Sequence, residues 1–202
     1  MKQLEALDHP NIVKYIESYE NEKTIYIVME YFQGMQLFDM ITDRVEKHGT
    51  FNEAEVAKIM QTLLEAIDYC HSKNVMHKDI KPKKILVNGT GLIKIVDFGL
   101  SKWEFLSKLQ IMAGTPYYLA PEVLKEIKNA KSDVWSLGVV MFTLLSGHLP
   151  FVSDANETVF HKAIKGDYSF EHSVWDDVSE EAKDLITRMV NTDLIKRYTA
   201  SE

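Results

Sequence analysis

Twelve consecutive residues, Val134–Leu145 (VWSLGVVMFTLL), are apolar on nearly every face of a helix. A helix without a polar side has to be enclosed, so the rest of the chain must be arranged around this one. Its most apolar part, Leu137 to Leu145, is far short of the ~20 residues a membrane span needs. It therefore reads as a buried core helix, and no membrane partner is expected. The 202 residues allow one domain or a large part of one. A net charge of −7 argues against nucleic acid as a partner, because neutralising phosphates takes clustered Lys and Arg. Cys70 is the single cysteine, which excludes an internal disulfide and suits a reducing compartment, the cytoplasm or the nucleus. The start, Met1-Lys2-Gln3-Leu4-Glu5, carries neither an apolar signal region nor a glycine for myristoylation.

The local patterns place strands early and helices late. Asn11 to Glu20 and Thr24 to Phe32 are rich in Ile, Val and Tyr around a turn at Asn21-Glu22-Lys23, so they predict an antiparallel hairpin. Asn52 with Glu55 three residues on forms a capping box. Behind it Val56, Ile59, Met60, Leu63, Leu64, Ile67 and Cys70 recur at helical spacing as far as Ser72-Lys73-Asn74. Ile85–Val87 and Leu92–Val96 flank Asn88-Gly89-Thr90-Gly91 and predict a second hairpin. Glu157 to Lys165 predicts a short helix stopped by Gly166. Ser179 caps a further helix with Ala182, Leu185, Ile186, Met189 and Val190 on one face. The fold class is α+β, a small strand-rich part followed by a mostly helical body.

Two aspartates, 18 residues apart, carry the chemistry. Asp79 lies in Val75-Met76-His77-Lys78-Asp79-Ile80-Lys81-Pro82-Lys83-Lys84, and Asp97 in Ile95-Val96-Asp97-Phe98-Gly99. Gly114-Thr115-Pro116-Tyr117-Tyr118-Leu119-Ala120-Pro121-Glu122 follows, then Asp133-Val134-Trp135-Ser136-Leu137-Gly138, then Arg197. An isolated Asp-Phe-Gly is ordinarily a turn. The ordered set is what informs. In these motifs the chain resembles the eukaryotic Ser/Thr protein kinases from end to end. Trp175 to Ile186 (WDDVSEEAKDLI) and Val28-Met29-Glu30-Tyr31 look like the calcium/calmodulin-dependent group, most of all the calcium-dependent protein kinases.

The resemblance implies a protein-kinase-like fold: residues 1–33 as a remnant of the small lobe and hinge, and residues 34–202 as the large lobe. Within the large lobe, 75–87 would be the catalytic loop and 97–122 the activation segment. It implies that Asp79 is the catalytic base, that Lys81 contacts the transferred phosphate, and that Thr115 hydrogen-bonds to both, as in a kinase acting on Ser or Thr. Asp97 would hold Mg²⁺ on ATP. The backbone of Glu30 and Phe32 would bind adenine, with Met29 as gatekeeper and Leu86 beneath the ring. Glu122 and Arg197 would form a buried ion pair, and Asp133 would accept hydrogen bonds from the backbone near His77, itself a core histidine under Phe98. ATP and Mg²⁺ are the implied cofactors, and a protein is the implied substrate or partner.

The departures from the pattern are as specific as the match. No G-x-G-x-x-G and no Val-Ala-x-Lys strand are present, so truncation at both ends is expected, with the Thr24–Phe32 edge left unpaired. No EF-hand loop occurs in the sequence. Lys84 stands where the family places a metal-binding asparagine. An ammonium only donates and cannot coordinate a cation. Unit-charge repulsion at close range is on the order of 4 kcal/mol at an intermediate effective dielectric. Lys84 is therefore expected to pair with Asp79 or Asp97, or to occupy the metal's position and contact phosphate. Lys78 replaces the family's arginine and Ile111 its phosphothreonine, so activation by phosphorylation there is not expected. Gln36 and Lys83 replace glutamates that bind substrate arginines in basophilic relatives. Two functional expectations remain open: a Ser/Thr kinase domain fragment of doubtful activity, or a pseudokinase that binds a protein without catalysis.

Overall fold

The computed structural model describes residues 5–98, 116–153 and 158–202. Strands β1 (Tyr15–Glu20) and β2 (Ile25–Met29) form an antiparallel hairpin. Its turn is closed by the Asn21 side chain, whose oxygen accepts the N–H groups of Lys23 and Thr24 at 3.0 and 2.9 Å. The run Asn11–Glu20 is not one continuous strand. Its first part instead pairs with the strand that follows Asn88–Gly91: Val13 N–H donates to Ile95 C=O at 3.0 Å and Ile95 N–H to Asn11 C=O at 2.8 Å. The ladder with β2 takes over beyond it, with a register shift between Tyr15 and Glu17. The two halves bend because they serve different partners. Among the described residues β2 pairs with β1 alone, and Ile16, Tyr19, Ile25 and Tyr26 are exposed.

A second sheet has the order β3 (Met35–Gln36), β4 (Ile85–Val87), β5 (Ile93–Ile95), all antiparallel. Gly34 permits β3 to approach β4, since a Cβ there would lie 2.8 Å from Val87 O. Helix α1 (Leu37–His48) lies where the spacing arguments name no element. Leu37 and Ile41 bury its inner side. Helix α2 (Glu53–Ser72) begins with the expected capping box: Asn52 Oδ1 accepts Glu55 N–H at 2.9 Å, and Glu55 Oε2 accepts Asn52 N–H at 3.0 Å.

Helix α3 (Lys131–Ser146) is the enclosed one, with every residue from Ser132 to Ser146 buried. Gly147 ends it in the left-handed conformation, φ 72°, and donates its N–H to Thr143 C=O at 2.8 Å. Helix α4 (Val159–Lys165) is capped by the Thr158 side chain and stopped by Gly166. Its expected first residues, from Glu157, lie partly outside the described residues. Helix α5 (Glu180–Met189) is capped by Ser179. Gly138 admits α5 against α3, because a Cβ at that position would lie 2.6 Å from Val190 Cγ2. Met60, Leu63 and Ile67 of α2, Leu137, Val140 and Leu144 of α3, and Ile186 and Met189 of α5 belong to one core. That core fixes the end of α2 and the start of α3, and the loop after α2 is fastened between them.

Candidate functional site

Asp133, in the first turn of α3 and 2% exposed, organises the loop. Its Oδ2 accepts the backbone N–H of His77 and the ring Nε2 of His71, each at 2.9 Å. Its Oδ1 accepts the backbone N–H of Lys78 at 2.8 Å. Lys78 is held at φ 75°, a conformation uncommon outside glycine, and Asp97 at φ 65°. Such strain costs about 1–3 kcal/mol per residue and persists where surrounding contacts over-determine it. Burial lowers the pKa of the Lys78 ammonium, although Asp133 opposes the shift.

His77 is fully buried and bridges the Asp79 backbone to Val96, the residue before Asp97. Its Nε2 donates to Val96 C=O at 2.9 Å, and its Nδ1 accepts Asp79 N–H at 3.2 Å. A ring that donates through one nitrogen and accepts through the other is neutral. Its edge packs on Phe98, with centroids 4.6 Å apart. Burial pushes the His77 pKa below its ordinary 6.5, against the smaller pull of Asp133 and its neighbours. The sign follows: the unfolded chain takes up this proton at a higher pH than the folded one. Stability is expected to fall as pH drops below about 6.5, and His77→Phe should flatten that part of the profile. Urea midpoints measured from pH 7.5 to 5 would check this.

The carboxylates themselves meet lysines. Lys81 Nζ lies 3.0 Å from Asp79 Oδ2. Lys84 Nζ contacts Asp97 Oδ2 directly, one of the placements its sequence position suggests. Lys84 is set there by its backbone: Val96 N–H donates to Lys84 C=O at 3.0 Å, immediately before Asp97. A magnesium ion demands near-octahedral oxygen ligation. At a nucleotide it is held by one or two protein oxygens together with phosphate oxygens and water, and the Lys84 position beside Asp97 supplies an ammonium where a second protein oxygen would be needed. Asp97 offers its carboxylate to an ammonium instead, so these residues do not fit the Mg²⁺ the family implies.

The expected adenine-contacting residues come from two sheets. Met29 ends β2, half-buried, and Glu30 and Phe32 follow beyond the ladder. Leu86 is half-buried in the middle of β4. Lys94 of β5, not among the expected site residues, ties that strand to the segment after β2. Its Nζ contacts Glu30 Oε1 and lies 5.9 Å from the Phe32 ring centroid. Burial would raise the Glu30 pKa, but Lys94 and the Lys14 N–H hold it below the usual carboxylate value. The 64 residues separating Lys94 from Glu30 hide this contact from any local pattern. Lys83 lies 4.8 Å from the Phe38 ring centroid. Thr115, Gly114 and Ile111 lie outside the described residues.

Two further expectations hold. Arg197 Nη2 meets Glu122 Oε2 at 2.9 Å, with both side chains buried. Burial opposes ionisation of Glu122, but the Arg197 hydrogen bond and charge, joined by Ser132, keep its pKa below the ordinary value. Cys70 is a core residue, and burial, helped by Asp133, pushes its thiol up to about 12, which leaves no reactive thiolate near neutral pH.

The family model for the protein kinase domain matches residues 1–202. The chain is 42% identical over 203 residues to calcium-dependent protein kinase 5 of Plasmodium falciparum, covering 98% of this chain and 35% of that protein. It is 38% identical over 203 residues to calcium/calmodulin-dependent protein kinase type 1 of Macrobrachium nipponense, covering 98% of this chain and 58% of that one. The chain thus spans about a third of the first relative and somewhat over half of the second. The crystal structure of Rad53 1-466 in complex with AMP-PNP superimposes with a TM-score of 0.82 at 34% identity, over 99% of this chain and 51% of that one.

Proposed function

Because the chain belongs to the protein kinase domain family, with relatives in its calcium-dependent and calcium/calmodulin-dependent groups, we propose that its loop is built to direct the γ-phosphate of ATP to a Ser or Thr hydroxyl of a protein. We propose further that Lys84 mutes this reaction in the present chain. The observation that carries the proposal is the His77 bridge from Asp79 N–H to Val96 C=O, the residue before Asp97, with Lys81 on the Asp79 carboxylate and Lys84 on that of Asp97.

In this reading Asp79 receives the proton of the attacking hydroxyl, and Lys81 leaves Asp79 to meet the transferred phosphate. Met29, Glu30, Phe32 and Leu86 hold the adenine. ATP supplies the phosphoryl group. The Lys84 contact favours the second reading, a domain that binds a protein partner without catalysis, to the extent that turnover requires a metal at Asp97. An ATP-competable fluorescent trinitrophenyl-ATP signal is expected for the chain, and Leu86→Arg should abolish it while leaving the thermal midpoint within a few degrees. An unchanged signal in Leu86→Arg would place the nucleotide elsewhere.

A further inference from the structure

We propose that Lys84 is a built-in counter-charge that replaces the divalent cation at Asp97, so that the site takes the phosphates of a nucleotide without Mg²⁺. The inference rests on the nucleotide-site reading of Asp79 and Asp97. It departs from the family's metal dependence on the strength of contacts particular to this chain.

The turn Pro82–Lys84 is a 3₁₀ helix preceded by Lys81. Lys81 is its extended N-cap residue and Lys84 its last residue. Each ammonium rests on a carboxylate: Lys81 on Asp79 at 3.0 Å, and Lys84 on Asp97. The turn is locked at both ends. Lys84 N–H donates to Lys81 C=O at 2.8 Å, and Lys84 C=O accepts Val96 N–H at 3.0 Å. The backbone therefore places the Lys84 Cα within side-chain reach of Asp97.

The Lys84 and Asp97 side chains remain 27% and 32% exposed, open to an incoming ligand. A lysine binds phosphate as a point charge, and a polyphosphate offers more negative charge than one carboxylate. A divalent cation finds no such welcome. It would have to displace the ammonium from Asp97, and the Lys84 side chain, a donor only, offers it no oxygen ligand.

Isothermal titration of the chain with ATP, in EDTA and in excess Mg²⁺, tests this. Binding in EDTA should equal or exceed binding in Mg²⁺, and Lys84→Ala should weaken the EDTA binding by about tenfold or more, the factor for one lost charge-assisted contact. Mn²⁺ should leave the amide signals of Val96 and Phe98 unbroadened, a readout that needs no variant. ATP binding that requires Mg²⁺ would overturn this inference and leave the nucleotide-site reading intact. So would equal EDTA binding by Lys84→Ala, or Mn²⁺ broadening at Val96 and Phe98. No ATP binding in either buffer would overturn both.

Discussion

Replacing Arg197 with alanine is expected to destabilise the fold by about 3–5 kcal/mol, the usual consequence of leaving one member of a buried ion pair alone. Arg197 is 1% exposed and Glu122 5%. The guanidinium donates to both oxygens of Glu122, to Asn191 C=O at 2.8 Å and to Lys131 C=O at 3.1 Å. It also lies 4.9 Å from the Trp135 ring centroid. Alanine would strand the Glu122 carboxylate beside Ser132 and empty the space over Trp135. The pair does not have to be a net gain over an apolar one, because desolvating two charges offsets most of their attraction. Hence Glu122→Leu with Arg197→Met together should cost less than Arg197→Ala alone. Urea unfolding with a constant m-value would check both statements. A double variant as damaged as the single one would show that the pair itself stabilises the fold.

Asp133→Ala should be the second large loss, and it should reach the site. Three donors converge on that carboxylate: His77 N–H, Lys78 N–H and His71 Nε2. Each buried donor left without a partner costs about 1–3 kcal/mol. Asp133→Asn keeps an acceptor for His77 and His71 but turns an amide N–H₂ toward Lys78 N–H, so its cost should be close to that of one lost partner. The same carboxylate holds Lys78 in its left-handed conformation. Hydrogen exchange should therefore accelerate at residues 77–79 in Asp133→Asn, while the middle of α2 stays protected. Uniform acceleration across both segments would mean that Asp133 supports global stability and has no special hold on the loop.

Some of this was legible in the amino-acid sequence because the relevant interactions are local or belong to motifs. Val134–Leu145 has no polar face, so burial of α3 follows from composition. Asn52 and Glu55 specify the start of α2 within one turn. The Asp133 and Arg197 anchors came from the family resemblance and are present as contacts. Other features depend on where distant strands settle. Both halves of Asn11–Glu20 have strand character, and only the position of Ile95 separates them. Helix α1 did carry a signal, Leu37, Ile41 and Val45 four apart, but Asp39, Thr42 and Asp43 dilute it. Lys84 could be read as misplaced beside a metal. That it rests on Asp97 and not on Asp79 depends on the Lys84–Val96 backbone bond across β4 and β5.

Transfer of radiolabelled γ-phosphate from Mg-ATP to a degenerate serine/threonine peptide library tests the account at its centre, with a calcium-dependent kinase run alongside to show that the library is competent. The chain should give incorporation at background, the same as Asp79→Asn, because Lys84 occupies Asp97. Incorporation above background that disappears in Asp79→Asn would contradict the account, and would show that the site turns over with an ammonium in the metal's place.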